Sequence, residues 1–296
     1  EAIYFDPKCT EAYLKYADVY KSANASLAIE KLNQLKALEP SNTAVDKKLA
    51  EIYYLKNDFS KAAEAYANFA MGPTATEEDL VKYAFALFLN HDFEKSLEVA
   101  NMGLQKNAHH AAFNRLAMYN YTDLKRFDEA IKAADIFFNE CEKADYSYLD
   151  YMYYGHLLES LKKYDDAVIQ YEKAVKMDPT KTDLYKNISS AYEQKNDYKK
   201  AISAYQKYYA SLDKEKQTPD LQFQVGRLYY GAGMQPDSLT ITVEERKQAL
   251  MSADSVFHAI AEAAPDSYLG NFWRARANSA LDPETTQGLA KPFYEE

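Results

Sequence analysis

The sequence predicts an all-α protein, a solenoid in which antiparallel helix pairs follow one another along the chain. Six short stretches resemble one another, and each of them places a small residue at the same point. Successive small residues lie 34, 34, 34, 37 and 34 positions apart, and a weaker seventh copy follows after 52. Repetition at about 34 residues is typical of stacked helix-turn-helix units. The seven residues are Ala28, Ala62, Ser96, Ala130, Ala167, Ala201 and Ala253.

The repeat spacing sets the expected order of the elements. The chain begins with the end of a second helix at 1–6, which stops at Pro7 as a later second helix stops at Pro40. Helix pairs are then expected at 10–40, 43–73, 76–107, 109–141, 147–179, 182–211 and 218–265, with a partial pair at 267–296. Since repeat units pack on their neighbours, we expect one continuous array over 1–296. Both ends fall inside a repeat, so we expect this chain to be a fragment of a longer protein.

Small residues are expected where two helices pack closely, because only there can the backbones approach each other. Such a residue recurs in the first helix of each pair, at Ala17, Ala50, Ala84, Ala117, Gly155, Ser189 and Gly226. Aromatic residues lie one or two turns away, and many of the 27 tyrosines fall at these positions. We therefore expect most tyrosines to pack the core, each with a partner for its hydroxyl group.

One stretch follows a known repeat pattern from end to end. Its matching residues are Tyr151, Tyr154, Gly155, Leu158, Ala167, Tyr171, Ala174 and Pro179. On these residues the chain resembles a tetratricopeptide repeat (TPR) protein, and the resemblance covers nearly all of its length. The abundance of Tyr, Lys and Asn and the segment APDSYLGNFWRARA are similar to repeat proteins of Bacteroidetes. The resemblance implies a right-handed superhelix that binds protein or peptide partners and needs no cofactor.

Charge and hydropathy exclude several classes of partner. A net charge of −10 and a pI near 5.2 argue against binding to nucleic acid or to an anionic membrane surface, and favour a basic peptide. No apolar run approaches the roughly 18 residues of a membrane span. Localisation stays open between bacterial cytoplasm and periplasm or cell envelope, because a signal sequence could lie upstream of Glu1. Cys9 and Cys141 lie 132 residues apart and are not expected to be bonded to each other.

Catalytic and metal-binding motifs are not found, so we expect that the chain is not an enzyme. His109 and His110 are adjacent, which is poor geometry for chelating a metal ion, and polarity at a helix entry accounts for them better. The sequence contains no HExxH, no GxSxG and no phosphate-binding glycine loop. We therefore expect neither a metal nor a cofactor.

The candidate binding residues lie on the first helices. In the TPR family this face lines a concave groove that holds peptides, and large exposed apolar patches usually mark binding sites. An alternative is that curvature of the superhelix, or a flanking segment, buries the same side chains. Projecting the repeat onto the sequence places these residues on the groove face: Tyr54, Val81, Phe85, Phe88, Met118, Tyr121, Met152, His156, Phe223, Arg227 and Tyr230.

The long interval before Ala253 contains an insertion at 231–246 between the helices of one repeat. Thr242 and Glu245 have the spacing of a capping box and should restart the second helix. The insertion could serve binding or could be a tolerated loop.

Two classes of function remain. The first is a non-catalytic scaffold or adaptor that holds a peptide or helical segment in the groove. The second is a carbohydrate-binding or nutrient-binding protein of the cell envelope, similar to the TPR-containing starch-binding lipoproteins of Bacteroidetes. Those proteins carry long excursions with sugar-stacking aromatics, whereas this chain has one short insertion and one tryptophan, Trp273. The sequence favours the scaffold.

Overall fold

A computed structural model describes residues 2–141, 145–236 and 241–295. The described residues form seventeen α-helices and one short 3-10 helix, and none of them lies in a strand. They fall into two compact units, Glu1–Asp145 and Tyr146–Glu296, which are described separately. The all-α fold class is confirmed, whereas a continuous array over 1–296 stays a prediction.

The first unit contains a short helix and four helix pairs in which consecutive helices pack on each other. The helices are α1 (Ala2–Phe5), α2 (Thr10–Tyr20), α3 (Ala25–Leu38), α4 (Thr43–Leu55), α5 (Phe59–Ala67), α6 (Glu77–Leu89), α7 (Phe93–Lys106), α8 (Ala111–Asp123) and α9 (Phe127–Asn139).

The second unit continues the same alternation of first and second helices. Its elements are α10 (Tyr148–Ser160), α11 (Tyr164–Met177), α12 (Leu184–Gln194), α13 (Tyr198–Ser211), a 3-10 turn (Lys214–Lys216), α14 (Pro219–Gly233), α15 (Val243–Ala263), α16 (Leu269–Leu281) and α17 (Lys291–Glu295).

The small residues lie where the helices of a pair meet. All seven that mark the repeat in the second helices are fully buried, from Ala28 to Ala253. At Gly155 an added Cβ would lie 2.5 Å from a ring carbon of Tyr171, and at Gly226 it would lie 2.7 Å from the ring of Phe257. The first helix therefore lacks a side chain where the second helix inserts an aromatic ring.

The turn inside each pair is built in the same way five times. A residue with a left-handed backbone, with φ between 58° and 60°, lies five positions before the small residue of the second helix. The backbone N–H that follows it bonds back to the first helix, as Asp58 does to the Tyr53 carbonyl at 2.9 Å. Such a bond ends a helix at a left-handed residue. The five residues are Asn57, His91, Lys125, Lys162 and Asn196.

The long interval before Ala253 differs partly from expectation. The predicted capping box is present, with the Thr242 hydroxyl accepting from the Glu245 N–H at 3.1 Å at the start of α15. Gly231 and Gly233, predicted to lie between helices, instead belong to α14, where they pack against Tyr198 and Leu250. Positions 237–240 of the predicted insertion lie outside the described residues.

Candidate functional site

The eleven residues predicted to line a binding face are divided between the two units. Ten of them are half-buried, which suits residues that border both the core and solvent, and one is fully buried. The first unit holds Tyr54, Val81, Phe85, Phe88, Met118 and Tyr121, and the second holds Met152, His156, Phe223, Arg227 and Tyr230.

An apolar stripe runs along the first helices α4 and α6. Its six members are Tyr54, Leu55, Val81, Phe85, Phe88 and Leu89, and this set is called the apolar stripe below. On α6 Phe85 lies four positions after Val81, and Phe88 and Leu89 lie three and four positions after Phe85, which places them on one face of the helix. Leu55 and Leu89 hold the same position in successive repeats and are the most open members, with 62% and 40% of their surfaces exposed.

The base of the stripe is held by aromatic contacts with the core. Tyr54 lies edge-on to Phe59, with ring centroids 5.6 Å apart. Phe88 contacts Phe93 at 5.7 Å and Tyr119 at 5.5 Å. Burial raises the pKa of the Tyr54 hydroxyl, which therefore stays protonated near neutral pH. The stripe is thus a fixed surface formed by side chains that are packed on one side.

Ion pairs between neighbouring first helices fix their spacing beside the stripe. Lys47 on α4 donates to the Asp79 carboxylate on α6 at 2.7 Å, and the same carboxylate caps the start of α6 through Thr76. Lys48 reaches Asp18 on α2 at 2.8 Å. A polar edge therefore borders the apolar side chains.

The placement of Met118 on the binding face is wrong, because its side chain is fully buried. Met118 lies twelve positions before Ala130, which is the separation of Ala50 from Ala62. Since the turn at Lys125 keeps the same distance to Ala130 as in the other repeats, the predicted register of α8 was one residue off. One residue corresponds to a rotation of about 100°, which carries a side chain from the face into the core.

Tyr121 is half-buried at the end of α8, where its ring faces a cation. The Arg126 guanidinium carbon lies 4.8 Å from the ring centroid, and the same side chain donates to Glu129 at 2.6 Å. Tyr121 therefore differs from the members of the apolar stripe, because an exposed ion pair covers its ring.

In the second unit, the face of the first helices is largely polar and internally bonded. The His156 ring nitrogen on α10 lies 3.3 Å from the Asn187 side-chain nitrogen on α12. Glu193 on α12 accepts two bonds from Arg227 on α14, at 2.6 and 2.8 Å. Hydrogen bonding to Glu193 raises the pKa of Arg227. These groups tie neighbouring repeats together and leave Met152 as the apolar candidate on α10.

An aromatic cluster occupies the other end of this face. Phe223 and Tyr230 both contact Trp273 edge-on, with centroids 5.4 and 5.3 Å apart. Exposed Arg276 lies over the Trp273 ring at 4.7 Å and over Tyr230 at 5.3 Å. Trp273 and Arg276 were not predicted as site residues from the sequence, although their i, i+3 spacing on one helix was a usable signal.

Groups that could support chemistry are sparse in the described part of the chain. Among residues 2–141, 145–236 and 241–295, no cluster of three His, Cys, Asp or Glu side chains could hold a metal ion. Cys9 and Cys141 are free thiols, and burial raises the pKa of the Cys141 thiol. No helix in the described residues is both long and apolar enough to cross a membrane.

Comparison with known proteins identifies the family. The tetratricopeptide repeat profile matches residues 155–216. The crystal structure of the C-terminal part of a TPR repeat-containing protein from Cytophaga hutchinsonii is 30% identical, with a TM-score of 0.55, over 73% of this chain and 76% of that chain. The chain belongs to the tetratricopeptide repeat family, whose members are generally non-catalytic protein-interaction scaffolds.

More distant structures share the fold alone. A tetratricopeptide repeat protein from Parabacteroides merdae is 17% identical, with a TM-score of 0.56, over 85% of this chain and 96% of that chain. MamA from Desulfovibrio magneticus is 15% identical, with a TM-score of 0.51, over 60% of this chain and 97% of that chain. A search of curated proteins finds no match. The neighbours thus include proteins from Bacteroidetes, and nothing in these comparisons supports the carbohydrate-binding alternative.

Proposed function

We propose that the chain is a scaffold that binds a peptide or helical segment of a partner protein along the apolar stripe of the first unit. One observation carries the proposal: in two successive repeats, equivalent positions on the first helices bear apolar side chains open to solvent. Leu55 and Leu89 are the exposed pair, and Tyr54 and Phe88 are a second, half-buried pair beside them.

The chemistry of the stripe favours an amphipathic partner. Open leucines beside half-buried aromatics offer surface whose removal from water is favourable, at roughly 1.5–3 kcal/mol for each large side chain buried. The polar edge formed by Lys47, Lys48 and their carboxylate partners suits the polar side of the same segment. The net charge of −10 favours basic residues flanking the apolar part of the partner.

A display experiment tests the proposal with the full chain. Peptides are selected from a random library on the immobilised protein, and the best binder is then titrated by fluorescence anisotropy. Leu55→Glu together with Leu89→Glu should weaken binding roughly ten- to a hundredfold, because the exposed parts of the two side chains together amount to about one leucine. Leu55→Ser with Leu89→Ser separates the loss of apolar surface from the added negative charge.

The chain offers a matched control on the second helices of the same unit. Met102 on α7 is 42% exposed, a fraction similar to that of Leu89. Met102→Glu should leave the affinity within about twofold of wild type. Equal binding by the wild type and both stripe variants would overturn the proposal. So would a loss of affinity that is as large in Met102→Glu as in the stripe variants.

A further inference from the structure

A cleft lies in the second unit, on the side formed by the second helices. It has a volume of about 330 Å³, and its walls come from α11 and α13 with α12 as the floor. The floor and sides are mainly apolar, with Tyr185, Ile188 and Tyr192 from α12 and with Val175 and Ala204 from the walls. A volume near 300 Å³ is at the lower end for a binding pocket and fits one or two side chains.

The rim of this cleft is basic, in contrast to the chain as a whole. Lys176 on α11 and Lys200 and Lys207 on α13 line it, and Glu172 is the acidic residue among the lining side chains. Lys200 forms an ion pair with Asp197 at 3.1 Å, so its charge is partly balanced. Within the described residues, neither Lys176 nor Lys207 has a carboxylate at ion-pair distance.

Two lysines of the rim lie over the rings of two tyrosines of the floor. The Lys200 ammonium lies over the Tyr192 ring at 5.1 Å, and the Lys207 ammonium lies over Tyr185 at 5.6 Å. Each ammonium group therefore lies against the face of an aromatic ring of the cleft, which places positive charge beside the apolar lining. Lys200 and Lys207 are seven residues apart on one helix, which separates their Cα atoms by roughly 10 Å along the axis. That distance is about the length of three residues of extended peptide.

We propose that this cleft is a second docking surface, which takes an acidic peptide segment containing an apolar or aromatic side chain. The apolar side chain enters between Tyr185 and Tyr192, while flanking carboxylates pair with Lys176 and Lys207. Charge complementarity selects this partner, since a basic segment would meet three ammonium groups. A nucleic acid strand is disfavoured by the short length of the cleft. This surface is independent of the apolar stripe.

The test uses the full chain and a fluorescein-labelled peptide of alternating Asp and Phe residues. Anisotropy titration at low salt should show binding that weakens as salt is added, because exposed charges are screened. Lys176→Glu with Lys207→Glu should reduce the affinity at least about tenfold. Lys176→Gln with Lys207→Gln should give a smaller reduction of the same kind. Circular dichroism of each variant should match that of the wild type, since these side chains are exposed.

The matched control reverses two exposed lysines of the same unit that do not line the cleft. Lys162→Glu with Lys247→Glu changes the net charge equally and should keep the affinity within about threefold of wild type. A peptide with Asn at every Asp should bind at least about tenfold more weakly. Equal loss in the cleft and control pairs would overturn the proposal, as would equal binding of the Asn peptide. Tighter binding of a single-stranded oligonucleotide than of the acidic peptide would also overturn it.

Discussion

Removing one hydroxyl group at the same repeat position should have opposite effects in the two units. Tyr66 and Tyr171 each lie four residues after the small residue of their second helix, and both are fully buried. The Tyr171 hydroxyl donates to the Glu159 carboxylate at 2.7 Å. The Tyr66 hydroxyl has no hydrogen-bond partner among the described residues. Burial raises the pKa of both hydroxyls, so both stay protonated at ordinary pH.

The magnitudes follow from these contacts. Tyr171→Phe loses a hydrogen bond to a charged group, which is worth about 1.5–3 kcal/mol. Glu159 keeps its bond from the Ser190 hydroxyl at 3.0 Å, so the expected loss is near the middle of that range, at about 2 kcal/mol. Tyr66→Phe removes a buried polar group that already lacks a partner, a defect that costs about 1–3 kcal/mol. We therefore expect Tyr66→Phe to stabilise its unit by about 1 kcal/mol.

Hydrogen exchange followed by mass spectrometry measures the local stability of each unit separately. Amides of α5 and α6 should exchange roughly fivefold more slowly in Tyr66→Phe, and amides of α11 and α12 roughly thirtyfold faster in Tyr171→Phe. Tyr4 is 83% exposed, and Tyr4→Phe should change neither region. If Tyr66→Phe accelerated exchange as much as Tyr171→Phe does, the assignment of an unsatisfied hydroxyl at Tyr66 would be refuted.

Two further predictions concern a close contact and an ion pair. Gly155→Ala gains about 1 kcal/mol of helix propensity but overpacks the Tyr171 ring at about 1–3 kcal/mol, so it should be neutral to destabilising. In a Tyr171→Leu background the same change should stabilise by about 1 kcal/mol in urea unfolding followed by Trp273 fluorescence, and an identical effect in both backgrounds would contradict the contact. Burial tends to raise the pKa of Asp79, but hydrogen bonding to Lys47 and to the helix cap outweighs it and holds the pKa below the usual 3.8. This stabilisation is present above the unfolded-state pKa and is lost as pH falls through the folded-state pKa. Asp79→Asn should therefore lower the urea midpoint at about pH 7 but not below the folded-state pKa, and a pH-independent difference would count against the ion pair.

The repeat itself could be predicted from the sequence for a physical reason. Small residues that touch a neighbouring backbone tolerate few substitutions, so Ala62, Ala167 and their equivalents mark the helix pairs directly. The capping box of Thr242 and Glu245 was predictable for a similar reason, since it is local in sequence. The expectation that buried tyrosines find hydroxyl partners is confirmed at Tyr171 and is wrong at Tyr66.

The candidate site was harder to predict, because a side chain's exposure depends on rotation about the helix axis. Met118 shows the effect, since an error of one residue in register changed a buried side chain into a surface candidate. The bonds of Arg227 and His156 were also not predictable, because each joins two repeats and depends on how those repeats pack. Spacing along one helix gives the face of a residue, whereas its partners come from the next helix pair.

The fit between glycine and aromatic ring described at Gly155 and Gly226 has a consequence for how such a chain can evolve or be engineered. The same kind of fit also joins consecutive repeats, since Gly231 on α14 packs against the Tyr198 ring on α13 and Gly103 on α7 packs against the Phe113 ring on α8. A whole repeat that is exchanged or duplicated would therefore keep the match inside its own helix pair, but it would also need a fitting glycine or ring in its new neighbour. Recombination at the turn between the two helices would instead join a bulky ring to a site already filled, or leave a void. A complete helix pair is thus the smallest segment that carries its own internal match, and its neighbours must supply the match at its two edges.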